Sequence, residues 1–304
     1  MQIGMTMPVM EPGLDATLLR TWAETIDAGP FSSLCWGERI AFDNPDALTL
    51  LGALAAWTHR VRLVTTVVVP QLHDPVMLAK ALATGDMLCD GRLTVGLGVG
   101  GRHEDYRAVG ADVATQTMRG MADAVEIMRR VWAGEHVTDS VRPVGPPTTR
   151  PGGPELHVGT TGPRTIRSAS HWASGVAGVT LDLDVGQQRQ LFDVALRSWS
   201  ELDKPHPHLA TSFWFALGDE DRARAQIPRT QIHRHLRHYM NWIPADFVDA
   251  MAPTTGFAGT PAQLAQTLQA FAEIGTDEVV LIPTDADPGQ LRDVASVARE
   301  FADA

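Results

Sequence analysis

Glycine spacing gives the first hint of chemistry in this chain. The run Gly96-Leu97-Gly98-Val99-Gly100-Gly101 directly follows the apolar stretch Leu93–Val95. A Gly-x-Gly after a strand can cradle a pyrophosphate at a helix N-terminus in a dinucleotide fold. Position argues against that here. The run follows the fourth strand rather than the first, and the polar Arg102-His103-Glu104-Asp105 separates it from any predicted helix. One remaining reading is a tight strand-to-loop transition that needs small residues. The other is a barrel strand end where a planar ring lies against the backbone of Gly98, Val99, Gly100 and Gly101. The second fits better.

A second cluster, Gly159-Thr160-Thr161-Gly162-Pro163-Arg164, leads from a strand end into a helix with proline in its first turn. Exposed N–H groups, two hydroxyls and the positive helix end suit an anion, though a capped helix without a ligand has the same local sequence. The third feature is Trp36-Gly37-Glu38-Arg39 at the end of strand two. Glu38 can exchange a proton. Arg39 keeps its proton in a protein and cannot act as a base, so it either binds an anion or a carbonyl, or simply pairs with Glu38. His73 and His103 fall on loops at the same end and are candidate proton donors.

Other chemistries find no support. His233, His235 and His238 are spaced by two and three, which does not gather three ligands on one helix face, so a solvated or lid-facing helix is expected and no metal. No second histidine follows His103-Glu104 at a zincin offset, and the P-loop and Gly-x-Ser-x-Gly motifs are absent. The two lysines, Lys80 and Lys204, sit in an amphipathic helix and a Lys-Pro loop. Neither position suits a Schiff base.

Parallel strands are predicted to hold these residues. Eight β-rich runs, Ile3–Met7, Ser33–Trp36, Val61–Val69, Leu93–Leu97, Leu156–Val158, Val176–Thr180, Leu209–Phe215 and Glu278–Ile282, alternate with stretches of helical period. The helical stretches are Leu14–Ala28, Pro45–Thr58, Pro75–Leu88, Met118–Trp132, Pro163–Ala173, Val185–Leu202, Asp219–Ala225 with Thr230–Met251, Pro261–Ile274 and Gln290–Phe301. Several strands are apolar throughout rather than alternating, as parallel strands covered on both faces are. Eight β/α units with no break in composition argue for one α/β domain over 1–304, a single (β/α)8 TIM barrel. Glu135–Pro154, rich in Pro, Gly and Thr, reads as an insertion loop after the fourth unit. The long helical region Thr230–Thr255 after strand seven reads as a lid.

The balance of 36 acidic against 25 basic residues, a net charge of −11, disfavours nucleic acid and anionic membrane as partners. No apolar run approaches the ~18 residues of a membrane span. Met1–Met10 lacks the basic and apolar regions of a secretory signal, and the two cysteines, Cys35 and Cys89, make no disulfide framework. A cytoplasmic protein is expected.

Four segments carry a family resemblance. The stretch CDGRLTVGLGVGGRHEDYRAVG (Cys89–Gly110) resembles the signature of luciferase-like monooxygenases, whose members use FMN or the deazaflavin coenzyme F420. VTTVVVPQLHDPVMLAKALATGDML (Val64–Leu88) is similar to the family's third strand and following helix, LHVGTTGPRTIRSASHWASG (Leu156–Gly175) to its cofactor-phosphate segment, and GTPAQLAQTLQAFAEIGTDEVVLIP (Gly259–Pro283) to its closure. The resemblance extends over almost the whole chain, in the family's order.

The resemblance implies a barrel, usually dimeric, holding a reduced flavin or deazaflavin. It implies a non-proline cis peptide at Thr66-Val67 behind the ring, and a cofactor-phosphate site at Gly159, Thr160, Thr161, Gly162 and Arg164 with Thr180. Two departures stand out. Family members often follow the acid at Glu38 with a catalytic histidine, where this chain has Arg39; and Asp182 stands where some deazaflavin enzymes carry a phosphate-binding lysine. The expected activity is hydride transfer between coenzyme F420 and a small organic substrate. The cis pair, the Gly-Gly-Arg run and the Arg-rich composition favour the deazaflavin. The alternatives are an FMN monooxygenase fed by a separate reductase and a barrel that binds cofactor without catalysis.

Overall fold

The computed structural model describes residues 1–137, 139 and 142–302. Its barrel strands are β1 (Gln2–Thr6), β2 (Ser33–Trp36), β3 (Arg62–Val68), β4 (Leu93–Leu97), β5 (Glu155–Gly159), β6 (Gly175–Ala177), β7 (His208–Leu217) and, after the short β8 (Phe257–Gly259), β9 (Glu278–Pro283). All pairings are parallel, in the order β6-β5-β4-β3-β2-β1-β9-β7. The β6–β7 pairing closes the barrel. This is the expected closed (β/α)8 architecture. Every residue of β2 and β4 is buried, which explains their lack of polar alternation.

The helices are α1 (Ala16–Ala28), α2 (Ala47–Trp57), α3 (Pro75–Leu88), α4 (His103–Ala108), α5 (Met118–Trp132), α6 (Pro163–Ala169), α7 (Val185–Ser200), α8 (Glu220–Arg224), α9 (Ile227–Tyr239), α10 (Ala245–Met251), α11 (Pro261–Ala272) and α12 (Gly289–Ala302). Short polar side chains fix where several begin. Asp74 accepts from the N–H groups of Val76 and Met77, with Pro75 at the first helical position where no N–H is needed. Thr260 and Gln263 form a reciprocal capping box on α11. Pro45 precedes α2 rather than starting it, because Asp46 is the cap.

Three expectations need correction. The helical region after strand seven is not continuous: it divides into α9 and α10 around Asn241–Pro244. The added strand β8 was not anticipated. It pairs Phe257, Ala258 and Gly259 with Phe215, Ala216 and Leu217 at the far end of a ten-residue β7, beyond the barrel wall. A three-residue apolar stretch has no periodicity of its own to reveal it. Third, a helix does follow Arg102 at once. α4 begins at His103, and Glu104 and Asp105 in its first turn suit its N-terminal dipole.

The two lysines are structural, as expected: Lys80 donates to the Gly145 carbonyl (2.6 Å) and Lys204 to those of Ser170 (2.6 Å) and Ala173 (2.8 Å). The first of these ties the insertion loop to α3. Thr138, Ser140 and Val141 of that loop lie outside the described residues. Among the described residues no helix is long and apolar enough to cross a membrane.

Candidate active site

The mouth of the barrel, where the strands end, is organised by an irregularity in β3. Its register against β4 shifts between Thr65 and Val68, and the Thr66–Val67 peptide is cis, as the resemblance implied. Glu38 N donates to the Val67 carbonyl (3.1 Å) on one side, and Gly98 N to the Val68 carbonyl (3.0 Å) on the other.

The bulge accounts for the surrounding glycines. A methyl group at Gly96 would strike the Thr65 carbonyl oxygen, and one at Gly98 would lie 2.7 Å from Val67 Cγ2. One at Gly159 would overlap Val67 Cγ1. These glycines therefore seat the bulge of β3, and a ring would lie against the bulge they admit. That revises the idea of a ring resting directly on glycine backbone at 98. Gly100 and Gly101 fit the idea better: Gly100 takes φ +66°, and Gly101 faces open space.

Two cavities meet here. The smaller, about 210 Å³, is walled by the residues that follow β1 (Met7 to Glu11), by Glu38 and Arg102, and by Trp214, His235 and Tyr239. The larger, about 570 Å³, is lined by Gly98, Val99 and Gly159 to Gly162, and runs down the barrel axis to His157 and Glu278. Both include Thr66, Val67, Gly100 and Gly101, so the bulge and the glycine turn form the sill between them.

Glu38 is buried on the smaller cavity. Its Oε2 accepts from Val69 N (2.9 Å), and its Oε1 lies 2.8 Å from His73 Nε2. His73 stands behind Glu38 and does not line either cavity. Burial alone would lower the His73 pKa, but the hydrogen bond and charge of Glu38 outweigh it, leaving the pKa above its ordinary value.

Arg39 is buried and directed towards the end of α9 and residues 239–241 rather than into a cavity. Its Nη1 donates to the Tyr239 carbonyl (2.9 Å), and its Nη2 to Glu104 (3.1 Å) and Asn241 (3.4 Å). The guanidinium lies 3.8 Å from the Phe42 ring centroid and 5.0 Å from that of Trp242. Burial, then the charge of Arg102, lowers its pKa. Arg102 bonds Asp105 (2.8 Å) and the Glu38 carbonyl (3.4 Å), while Asp105 also caps the N–H groups of Ile40 and Ala41. Residues 39–42, α4 and the end of α9 are thus bound into one unit.

The remaining candidates divide. Thr66, Val67, Gly98, Val99, Gly100, Gly101, Gly159, Thr160, Thr161 and Gly162 all line the larger cavity. His103 and Arg164 are exposed and line neither. Thr180 is buried with its hydroxyl unpartnered. The Thr160 hydroxyl accepts from Gly162 N (2.9 Å), so this loop satisfies one of its own donors.

Sequence reasoning passed over Glu11 and set His235 aside on a solvated or lid-facing helix, whereas the structure buries it against the smaller cavity. His235 Nδ1 hydrogen-bonds Glu11 Oε1, its Nε2 is buried without a partner, and both residues line the smaller cavity. The ring stacks on Tyr239 at 9° between planes. The pair is 224 residues apart in sequence, so no spacing could announce it. Among the described residues no group of three or more His, Cys, Asp or Glu side chains could hold a metal.

The family profile described as luciferase-like monooxygenase matches residues 8–278. The chain belongs to the luciferase-like monooxygenase family. That family comprises flavin- and deazaflavin-dependent oxidoreductases, and solved structures share its fold along the whole chain. Monooxygenase RslO1 from Streptomyces bottropensis superposes with a TM-score of 0.80 at 24% identity, covering 100% of this chain and 98% of that one. An F420-dependent secondary alcohol dehydrogenase, in complex with an F420-acetone adduct, gives 0.78 at 14% identity, covering 98% of each. At these identities the likeness is one of fold.

Sequence relatives are partial. An uncharacterised protein of Mycobacterium tuberculosis is 32% identical over 164 residues, 50% of this chain and 57% of that protein. The F420-dependent glucose-6-phosphate dehydrogenase of Beutenbergia cavernae is 35% identical over 138 residues, 43% of this chain and 41% of that protein. The matched stretch spans about half the length of these curated relatives.

Proposed function

We propose that this protein is a coenzyme F420-dependent oxidoreductase acting on a small organic substrate. The observation that carries the reading is the two-lobed cavity divided by the Thr66–Val67 bulge. The larger lobe, about 570 Å³, reaches from the glycine turn to the Gly159–Gly162 loop, and the smaller holds a hydrogen-bonded acid–histidine pair. The partial relatives named as F420-dependent dehydrogenases favour the deazaflavin.

The residues fit such a group. Thr66, Val67, Gly100 and Gly101 offer a flat sill, and Gly159 to Gly162 offer backbone and hydroxyl donors for a phosphate-bearing tail. The bound deazaflavin supplies a ring carbon that exchanges hydride with substrate. The protein holds the substrate and handles the proton. With a deazaflavin bound as hydride acceptor, a carbinol substrate would be held so that its hydroxyl faces His235 and its C–H bond the sill. The O–H proton passes to His235 Nε2 and the C–O bond becomes C=O. Glu11 fixes the histidine tautomer and balances the imidazolium that forms. Glu38, held by Val69 N and His73, adds fixed negative charge at the sill, and Trp214 and Tyr239 exclude water.

Titration of the protein with F420 and with FMN, followed by quenching of cofactor fluorescence, tests the cofactor. Tighter binding of F420 is expected. A wide preference for FMN would replace this reading with a monooxygenase supplied by a separate reductase, and tight binding without turnover of any acceptor would make the barrel a carrier. His235→Asn should lower kcat by roughly 10²–10⁴ and remove one limb of the pH profile. A homodimer belongs to the same proposal on family grounds.

A further inference from the structure

The walls of the smaller cavity carry information about the substrate. The apolar contributors are Met7, Pro8, Val9 and Met10 on one side and Trp214, Tyr239, Ile282 and Pro283 on the other. At about 210 Å³ the space lies below the ~300–1,000 Å³ of sites that take drug-sized ligands. It admits a compact molecule.

The charged groups point the same way. Among the described residues, Arg102 is the one lysine or arginine on this wall. It is already committed, to the Asp105 carboxylate at 2.8 Å and to the Glu38 carbonyl. Arg39, the nearest alternative, is turned towards the end of α9 and residues 239–241. Two carboxylates, Glu11 and Glu38, line the same space and are buried. A phosphate or carboxylate entering here would lose its water, find no free guanidinium or ammonium, and face two fixed acids.

We infer that the substrate is an uncharged, largely apolar alcohol or carbonyl compound, and not a sugar phosphate or other anion. The inference rests on the F420-dependent reading for the chemistry, but not for the binding preference, which follows from the cavity wall alone. Two buried polar atoms on this wall lack partners, His235 Nε2 and Thr6 Oγ1, and a hydroxyl or carbonyl oxygen would satisfy either. A single small polar group on an apolar frame matches a pocket whose aromatic-lined wall leaves, among the described residues, only these two side-chain polar atoms unsatisfied.

The experiment uses the protein without and with F420, and reads intrinsic tryptophan fluorescence from Trp214 as ligand is added. The probes are cyclohexanol and cyclohexanone against cyclohexanecarboxylate and glucose 6-phosphate. The neutral pair should bind at least tenfold more tightly than either anion, and Trp214→Ala should abolish the signal. Val9→Lys, which places an ammonium on the wall, should narrow the gap. Equal or tighter binding of glucose 6-phosphate overturns the inference, even if F420 binds and turns over. Failure to bind F420 while the neutral preference persists overturns the cofactor reading and leaves this one standing.

Discussion

Arg39 occupies the position where relatives of this family often carry a catalytic histidine, and its contacts predict that it latches the lid. Replacement by methionine keeps the apolar stem and removes the guanidinium. The bond to the part-buried Tyr239 carbonyl at 2.9 Å contributes about 1.5–3 kcal/mol, as a charged hydrogen bond does. The Glu104 partner is 42% exposed, so that ion pair adds only about 0–1 kcal/mol. Contact with the Phe42 face adds about 1–2 kcal/mol. Against these stands the cost of burying the guanidinium, which the lowered pKa reflects and which the variant no longer bears. The net loss is about 2–3 kcal/mol, equivalent to roughly a 30- to 150-fold shift in the opening equilibrium of the lid. Hydrogen exchange measures this directly. Amides of α9 and residues 240–244 should lose that much protection while β1–β4 and β9 keep theirs. Because α9 carries His235, KM should rise and kcat fall together. Arg39→Lys should be intermediate, since an ammonium lacks the planar fork. Unchanged exchange in α9 would refute the latch, and so would loss spread evenly over barrel and lid.

Two further outcomes follow from the sill. Gly159→Ala should destabilise the protein by about 1–3 kcal/mol through overlap with Val67, read from the urea midpoint. Val67→Ala in the same chain should recover most of it, and a neutral single variant would show that Gly159 does not seat the bulge. His73 should titrate above its ordinary 6.5 by NMR, and Glu38→Gln should bring the midpoint down. Because the folded pKa is raised, the pair's contribution is fully present below pH 6.5 and is lost as pH rises through the higher folded value. A His73 midpoint that ignores Glu38→Gln would break that link.

Much of the frame was legible before any coordinates. Parallel strands covered on both faces lack polar alternation, so Val61–Val69 and Val279–Ile282 stood out as continuous runs, and Pro75 and the run Met118–Trp132 marked α3 and α5 to the residue. The glycines at 96 and 98 announced a strand end that needs small residues, while Gly159 was read only as part of an anion loop. The sequence could not say what approaches. It is the side chain of Val67 and the carbonyl of Thr65, brought across by a register shift that leaves no local pattern. The Glu11–His235 contact was hidden, although His235 itself was noted. Glu11 follows the first strand and His235 sits late on α9, and only closure of the barrel, which sets β1 beside β9 and β9 beside β7, brings them into contact. Arg39 shows the same limit from the other side. Its type alone ruled out a base, but whether that charge would meet a substrate or a backbone carbonyl depended on where α9 packs, and helix packing is a property of surfaces assembled from distant segments.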